Sequence, residues 1–394
     1  MLSQQDITIV KSTIPVLNAA GTAVTEHFYA RMFKHNPELK HTFNMTNQKT
    51  GKQKTALFDA IVAYANHLDN VGVLQHAVNR ISNKHASLHI QPGDYDIVGH
   101  HLIETFRELL GADFTPEIES AWTNAYIQLA NLFVDKEATL YESTAQQEGG
   151  WKGKRPFVVS RKQDESSLVT SFELSPKDGL PIIGYKAGQY IAVEVEPKNN
   201  EYREIRQYSL SDAMRTSHYR ISVKRESVPF CGVVSTHLHD NVSVGDTVML
   251  YAPRGDFFLS EDDKPVVLIS AGVGVTPMMA MLETLHLKNN TCAVTFIHAC
   301  ENRSQHSFVE RVSAICNEHQ WPNFTWYQHK ESNDSERIKA GLVDLSAIAL
   351  PFEEANFYVC GPVGFMTFIK SQLHANGVCD SRIHYEVFGP HEGL

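Results

Sequence analysis

The stretch VVLISAGVGVTPMMAMLETLHL, residues 266–287, joins an apolar, strand-like run to a helix through a glycine turn. Such a turn can hold the pyrophosphate of a dinucleotide, because the start of a helix offers backbone N–H groups and a favourable dipole. Pro277 stands where the common G-x-G-x-x-G fingerprint has its third glycine. We therefore predict a nucleotide-binding site formed by Gly272, Val273, Gly274, Val275, Thr276 and Pro277.

The rest of the C-terminal third continues to alternate between strand-like and helical segments. The strand-like runs CAVTFIHA, FTWYQH and NFYVCG alternate with helical stretches such as SFVERVSAICNEH. Alternating strands and helices are typical of a parallel, doubly wound sheet with helices on both faces. We predict an α/β domain over residues 261–394.

Residues 151–260 show a different sequence pattern, in which short β-rich runs are separated by Gly, Pro, Asn and Asp. Regular short strands with turn signals predict an antiparallel β-barrel. Gly232 precedes a short helical pattern, Arg206 offers a fork-shaped cation for phosphates, and Tyr208 and Ser209 can stack on and hydrogen-bond to a flat ring. The alternative is that these are ordinary edge residues of the barrel.

Residues 1–143 show helical periodicity, and the polar, glycine-ended stretch at 144–150 predicts a linker. Pro37, Pro92 and Pro116 fall where proline is tolerated, at the first turn of a helix. Beyond a first helix that starts near Ser3, helices are predicted at roughly 24–34, 52–68, 71–86, 93–110 and 116–142.

Polar side chains interrupt the apolar stripes of these helices. His85 shares a stripe with Leu74, Val78, Ile81 and Leu88 at helical spacing. Gln53 shares another stripe with Leu57, and Tyr29 lies among apolar neighbours. A buried polar group costs roughly 1–3 kcal/mol if it has no partner. Either each group bonds to nearby backbone, or His85 binds a metal and the others face a ligand.

Composition limits the classes of function. The formal charge of −10 and the lack of a basic run argue against nucleic acid and anionic membranes as partners. The six cysteines form no Cys-x-x-Cys pair, which disfavours structural zinc, iron–sulfur clusters and a disulfide framework. The N-terminus does not resemble a signal peptide, and no apolar run is long enough to span a bilayer. We expect a cytoplasmic protein with reduced thiols.

The whole chain resembles the bacterial flavohaemoglobins. The resemblance is carried by FYARMFKHNPELKHTFNM (28–45), NKHASLHI (83–90), RQYS (206–209), GVGVTP (272–277), YVCGP (358–362) and YEVFGP (385–390). It implies an all-α globin domain (1–143), an FAD-binding barrel (151–260) and an α/β nicotinamide domain (261–394), the last two of the ferredoxin-reductase type. The implied cofactors are one haem b and one FAD, with NADH or NADPH as donor.

The resemblance also assigns residues in the globin domain. His85 matches the proximal iron ligand, and Tyr95 and Glu137 match residues that hydrogen-bond around its imidazole. Lys84 matches a neighbour proposed to influence the haem potential. Phe43 matches a residue that packs on the porphyrin, and the residues implied to form the distal pocket are Tyr29, Gln53 and Leu57.

In the reductase domains, the implied flavin contacts are Tyr190, Arg206, Gln207, Tyr208, Ser209, Lys224, Gly232, Val234 and Ser235. The stretch from Ser227 to Cys231 is bulkier than the usual glycine-rich version, which leaves the pyrophosphate loop open. Near the nicotinamide and flavin rings the implied residues are Cys360, Gly361, Pro362, Phe388, Gly389 and Pro390. Glu386 matches a carboxylate proposed to tune the potentials.

The implied reaction is nitric oxide dioxygenation: NAD(P)H reduces FAD, FAD reduces haem iron, and haem-bound O₂ oxidises nitric oxide to nitrate, which detoxifies it. Two alternatives stay open. One is an oxygen store or sensor whose flavin domain keeps the iron reduced, and the other is a general flavin or haem reductase. Arg303, after a strand-like run, either meets a 2′-phosphate or is a solvated surface residue, so the choice between NADH and NADPH is also open.

Overall fold

The computed structural model describes residues 2–45, 48, 51–198, 200–227, 231–289, 292–329 and 337–389. The chain divides into two compact units. The first comprises Met1–Gln147 with Lys198–Ile205, and the second comprises Glu148–Pro197 with Arg206–Leu394.

The first unit is helical. Its longer helices are α1 (Gln4–Ala20), α2 (Ala23–His35), α3 (Lys52–Asn66), α4 (Gln75–Ser87), α5 (Pro92–Leu110) and α6 (Pro116–Ala145). Ser3 and Asp6 form a reciprocal capping box at the start of α1, which satisfies backbone donors that the helix leaves unpaired. Pro37, Pro92 and Pro116 all lie in the first turn of a helix, as predicted.

The helix predicted over 71–86 is wrong at its start. Residues Val71–Leu74 form a 3₁₀ turn, and the α-helix begins only at Gln75. The N–H of Val73 bonds to the carbonyl of Asn70 (3.2 Å), an i→i−3 bond that winds the chain too tightly for an α-helix. Leu88 lies one residue beyond the helix, so the apolar stripe on α4 is shorter than its spacing indicated.

An antiparallel barrel follows, and it belongs to the second unit except for Glu204 and Ile205, which group with the first. Its strands are β1 (Lys154–Asp164), β2 (Val169–Pro176), β3 (Tyr190–Val195), β4 (Glu204–Ser209), β5 (Tyr219–Lys224) and β6 (Thr247–Tyr251), in the order β4-β3-β6-β1-β2-β5. A bridge between Leu210 and Ile221 joins the two ends of this order, which closes the sheet. Helix α7 (Val233–Asn241) packs on β5. The barrel prediction is confirmed.

A parallel sheet follows in the same unit. The strands are β7 (Val266–Ala271), β8 (Val294–Cys300), β9 (Asn323–Tyr327), β10 (Ile338–Ala340), β11 (Asn356–Cys360) and β12 (Ile383–Glu386), with helices α8 (Val275–Leu287), α9 (Val309–Glu318) and α10 (Val363–Ala375). The order β10-β9-β8-β7-β11-β12 reverses direction at β7, so the carboxyl ends of β7 and β11 flank the switch point. The edge strands β10 and β12 are too short to produce a periodic sequence signal.

Among the described residues, no single helix has the length and apolar character needed to cross a membrane. One sharply bent pair, Gln4–Ala20 with Ala23–His35, passes that test by length and composition only.

Arg155 organises the start of the barrel. Its side chain lies in a buried position on β1 (8 % exposed) and pairs with both carboxylate oxygens of Asp178, at 2.9 and 2.6 Å. It also donates to the carbonyls of Gly149, Leu180 and Pro181. This charge lowers the pKa of the Asp178 carboxyl below its usual value. One guanidinium therefore ties the segment before β1 to the connection between β2 and β3.

We expect Arg155→Met to destabilise the second unit by about 1.5–3 kcal/mol, because it removes a two-bond ion pair with Asp178 and three hydrogen bonds to backbone carbonyls. Differential scanning calorimetry should show a lower melting temperature for that unit's transition. The control is Arg161→Met, since Arg161 lies on the same strand with a mostly exposed side chain and makes a 3.4 Å surface pair with Glu173. Equal melting temperatures for the two variants would contradict the role assigned to Arg155.

Candidate functional site

His85, Tyr95 and Glu137 meet inside the first unit. They come from α4, α5 and α6 respectively. The Nδ1 atom of His85 lies 3.0 Å from Glu137 Oε1 and 2.8 Å from the Tyr95 hydroxyl, and that hydroxyl donates to Glu137 Oε1 at 2.6 Å. The predicted proximal residues therefore lie together. Tyr95 and Glu137 are 9 % and 2 % exposed, so neither is an ordinary surface residue of its helix.

This network decides which nitrogen of His85 holds a proton. A carboxylate accepts hydrogen bonds and cannot donate, so Nδ1 is the protonated atom in the contact with Glu137. The Nε2 atom then carries the lone pair that a metal ligand requires. About a third of the His85 side chain is exposed (33 %). The ring can therefore offer one nitrogen to a ligand while the other is held by the protein.

Neighbouring aromatics hold the network in place. The Phe133 ring stacks on Tyr95 at a centroid separation of 6.2 Å, and the Tyr126 hydroxyl donates to the backbone carbonyl of Tyr95 (2.5 Å). Burial, and after it the negative charge of Glu137, raises the pKa of Tyr95 far above its usual value. Tyr95 therefore stays protonated and acts as a donor to the carboxylate.

Tyr29 belongs to a separate apolar cluster in the same unit. Its ring packs edge-on against Phe43 at 6.0 Å, and Leu57 packs against the same cluster. Burial raises the pKa of Tyr29, while the side-chain amides of Gln48 and Gln53 act in the opposite direction. The Oε1 atom of Gln53 is buried without a hydrogen-bond partner. The predicted distal residues therefore lie together around a polar centre.

The two clusters of the first unit meet at their margins, where Leu74 and Leu129 pack against both. One cluster presents a histidine whose Nδ1 is anchored, and the other presents a phenol and an amide among apolar side chains. An apolar surrounding with one imidazole and a few hydrogen-bonding groups suits a haem. The residues present therefore fit that group.

The predicted flavin residues lie at neighbouring positions of the barrel. Tyr190 pairs with Arg254 through two backbone bonds of 2.9 Å, next to Gly255. A Cβ on Gly255 (φ +121°) would lie 3.0 Å from the Tyr190 ring. Glycine at this position therefore allows the ring to pack against the backbone. Burial raises the pKa of Tyr208, and the nearby Arg206 charge lowers it. Ser209 Oγ is buried without a partner and is suited to a polar ligand.

The turn before α7 is tightly built. The hydroxyl of Ser235 donates to the carbonyl of Gly232 and accepts from the N–H of Glu226, both at 3.2 Å. A Cβ on Gly232 would lie 2.5 Å from that hydroxyl oxygen. Val234 beside it is buried, and Lys224 at the end of β5 pairs with Glu226. Residues 228–230 of the bulky stretch lie outside the described residues.

The predicted nucleotide turn lies at the switch point of the parallel sheet. Gly272 has φ +53°, and Gly274 packs so closely on β11 that a Cβ there would meet the carbonyl oxygen of Cys360 at 2.3 Å. A Cβ on Gly361 would meet Ala271 at 3.0 Å. The Thr276 hydroxyl donates to the carbonyl of Val273 (3.0 Å), closing the turn, and Val275 and Pro277 are buried at the start of α8. These glycines bring GVGVTP and CGP together.

The C-terminal motif follows β11 and β12. Cys360 is fully buried, and its pKa is raised by burial and then by the Glu386 charge, so the thiol stays protonated. The N–H of Val387 bonds to the Glu386 carboxylate (3.0 Å). Pro362 precedes α10, Phe388 is exposed and Gly389 has φ +153°. Pro390 lies outside the described residues.

Three residues of these sites had no sequence signal of their own. Gln48 lies in a connection without periodicity, and Tyr126 acts through a backbone carbonyl. Gly255 is one of many glycines in loops, and only its contact with Tyr190 distinguishes it.

Comparison with protein families agrees with this architecture. The globin family matches residues 26–132, the oxidoreductase FAD-binding domain matches 156–259, and the oxidoreductase NAD-binding domain matches 268–371.

Individual relatives extend the match to the whole chain. A flavohemoprotein of Vibrio cholerae is 54 % identical, and the alignment covers 100 % of both chains. The structure of a flavohemoglobin from Malassezia yamatoensis, solved with bound FAD and heme, has a TM-score of 0.86 at 28 % identity and covers 98 % of this chain and 100 % of its own. The FAD/NAD-binding domain of the nitric oxide dioxygenase from Vibrio cholerae has a TM-score of 0.57 at 50 % identity and covers 60 % of this chain and 99 % of its own. The chain therefore belongs to the flavohaemoprotein family.

Proposed function

We propose that this protein is an NAD(P)H-dependent nitric oxide dioxygenase, which oxidises nitric oxide to nitrate and so detoxifies it. The observation that carries the proposal is the buried Glu137 carboxylate bonded to both His85 and Tyr95 in a globin domain joined to FAD- and NAD-binding domains. A protein that only stores oxygen has no need of a carboxylate that makes its histidine more basic. The name of the V. cholerae relative supports the same activity.

His85 would hold the haem iron through Nε2. When bound, haem supplies oxygen binding and oxidation chemistry, and FAD converts the hydride of NAD(P)H into single electrons. Glu137 keeps the Nδ1 proton in place and increases the basicity of the imidazole, which Tyr95 supports by bonding to the same oxygen atom. Lys84, next to His85 on α4, is proposed to influence the potential.

On the distal side, Tyr29 would donate a hydrogen bond to the bound substrate. Burial keeps its hydroxyl protonated, and the amides of Gln53 and Gln48 orient it. Leu57 and Phe43 supply apolar walls, and Phe43 would pack on the porphyrin. Among the described residues, apolar side chains therefore surround the Tyr29 hydroxyl and the two amides that bond to it.

In the second unit, Tyr190 and Tyr208 would flank the flavin ring, and Ser209 and Gln207 would bond to it. Arg206 and Lys224 would neutralise its phosphates, and the turn formed by Gly232, Val234 and Ser235 would hold those phosphates.

The nicotinamide nucleotide would lie along the GVGVTP turn, with Cys360, Gly361 and Pro362 beside its ring. Phe388 and Gly389 would cover the flavin, and Glu386 would tune its potential. The donor is NADH or NADPH.

We place the protein in the cytoplasm, without a nucleic-acid partner. We assign the domains to residues 1–143, 151–260 and 261–394, with a linker at 144–150 into which α6 extends as far as Ala145.

The direct test is to mix the oxygenated protein with nitric oxide in a stopped-flow instrument during NADH turnover. We expect nitrate to form in proportion to the nitric oxide added, over many cycles. An oxygen store whose iron is re-reduced only slowly would form about one nitrate per haem during the measurement, whether NADH is supplied or withheld. A general reductase would consume NADH at a rate that nitric oxide does not change. Either result would contradict the proposal.

His85→Ala should remove haem, because it deletes the proposed iron ligand, while FAD binds in the other unit. We expect near-complete loss of the Soret band, with FAD content and NADH-dependent ferricyanide reduction retained. The control is His76→Ala, an exposed histidine at the start of the same helix. If His85→Ala kept a normal ferrous spectrum, the ligand would be another residue, and His89 would be tested next.

Tyr29→Phe keeps the ring and deletes the donor. A hydrogen bond to a charged group contributes about 1.5–3 kcal/mol, so oxygen should dissociate from the ferrous protein on the order of ten to a hundred times faster. Flash photolysis or stopped-flow replacement by carbon monoxide measures this rate.

The matched control is Tyr64→Phe. Tyr64 is buried in the same cluster, but its hydroxyl donates to the carbonyl of Ala125 (2.8 Å). That variant should lose stability and keep the oxygen dissociation rate. A rate for Tyr29→Phe within twofold of the unmodified protein would mean that Tyr29 only packs, and the donor role would pass to Gln53.

A further inference from the structure

A cluster of histidine and glutamate side chains lies away from the sites described above. His286 is in the last turn of α8, Glu318 is the last residue of α9, and His319 directly follows it. The Nδ1 atom of His286 and the Nε2 atom of His319 are 2.8 Å apart, and Glu318 Oε1 is 3.8 Å from the same Nδ1. The ligand atoms of these three residues all lie within 4.8 Å of one another, and no other such group of His, Cys, Asp or Glu is found among the residues that the structure describes.

We propose that His286, His319 and Glu318 form a binding site for a divalent transition-metal ion such as Zn²⁺. Two imidazole nitrogens and one carboxylate, with water in the fourth position, are a common ligand set for zinc. Imidazole donors select against Mg²⁺ and Ca²⁺, which prefer sites made of oxygen atoms.

The separations suit such an ion. With bonds of about 2.0–2.1 Å, ligand atoms of a tetrahedral zinc site lie roughly 3.3 Å apart. The observed 2.8 and 3.8 Å each differ from that value by about half an ångström. All three ligand atoms lie within 4.8 Å of one another, so side-chain rotations can bring them to one ion. When the ion binds, the proton shared by the two imidazoles moves to the far nitrogen of the donor ring, which frees both facing lone pairs.

The backbone around His319 holds its ring in position. Gln320 has φ +56° and reverses the chain, and the N–H of Trp321 bonds to the carbonyl of Cys316 (2.8 Å). This turn places the Trp321 ring on the His319 ring, stacked at a centroid separation of 4.2 Å and an interplanar angle of 15°. His319 therefore loses little freedom when it binds an ion.

The electrostatic surroundings favour a cation. Helices α8 and α9 both end at the cluster, and the C-terminus of a helix carries partial negative charge. One turn before His286, the buried Glu283 pairs with Arg311 of α9 through two bonds of 2.7 Å. This ion pair fixes the spacing of the two helices, so both sides of the proposed site are already aligned. A bound ion would be a second link between α8 and α9.

The test measures Zn²⁺ binding to the full-length protein after dialysis against a chelator. Equilibrium dialysis with ZnCl₂ and a competing chelator should show one more tightly bound ion per chain in the unmodified protein than in the double variant His286→Gln/His319→Gln. Loss of two of three ligands should weaken that binding by about tenfold or more. Glu318→Gln should weaken it less.

The matched control is His374→Gln. His374 also lies beside a carboxylate, with Nε2 at 3.1 Å from Asp380, but among the described residues no second imidazole joins that pair in a ligand cluster. This variant should bind Zn²⁺ like the unmodified protein. Equal Zn²⁺ binding by the double variant and the unmodified protein would overturn the proposal.

A stability measurement separates ligand loss from misfolding. Because an ion that binds only the folded state stabilises it, ZnCl₂ should raise the melting temperature of the unmodified protein and not that of the double variant. The metal-free melting temperature and FAD content of the double variant should be close to those of the unmodified protein. Zinc that raises both melting temperatures equally would also overturn the proposal. Neither measurement depends on nitric oxide turnover.

Discussion

The buried carboxylate of Glu137 is the constraint on which the globin unit depends. A charge at a 2 % exposed position is tolerable only when hydrogen bonds replace its water, and here the Tyr95 hydroxyl and His85 Nδ1 both bond to one oxygen atom. The same bonds orient His85, since the carboxylate can only accept. Helices α4, α5 and α6 are therefore held together by the group that also prepares the proposed iron ligand.

The second unit depends on a different constraint, the close approach of backbone at the switch point of its parallel sheet. Gly274 lies against the carbonyl of Cys360, and Gly361 lies against Ala271, at distances that any side chain would violate. Because β7 and β11 are hydrogen-bonded neighbours, the two motifs share one edge. A nucleotide bound at that edge would meet the backbone N–H groups at the start of α8.

The proposed zinc site and the haem site use histidine in different ways. His85 has Nδ1 bonded to a buried carboxylate, which commits Nε2 to a ligand. His286 and His319 bond to each other in a part-buried position, so an ion must compete with their mutual hydrogen bond. Their affinity for metal depends on how well Trp321 and the ends of α8 and α9 keep the two rings in position.

Local sequence patterns were sufficient for much of this protein. Short β-rich runs between turn residues predicted the barrel strands, proline positions predicted helix starts, and the GVGVTP turn predicted the nucleotide edge, because each depends on neighbours within a few residues. The start of α4 could not be predicted, since a 3₁₀ turn and an α-helical turn share the same apolar spacing. The edge strands β10 and β12 are too short to produce a periodic pattern in the sequence.

The spacing of apolar residues left the role of His85 open. Its protonated nitrogen is decided only by the contact with Glu137, which lies 52 residues away in the chain. The roles of Gln48, Gly255 and the pair His286 and His319 likewise exist only once distant segments pack together, because a hydrogen bond or a metal site needs its partners in space and not in sequence.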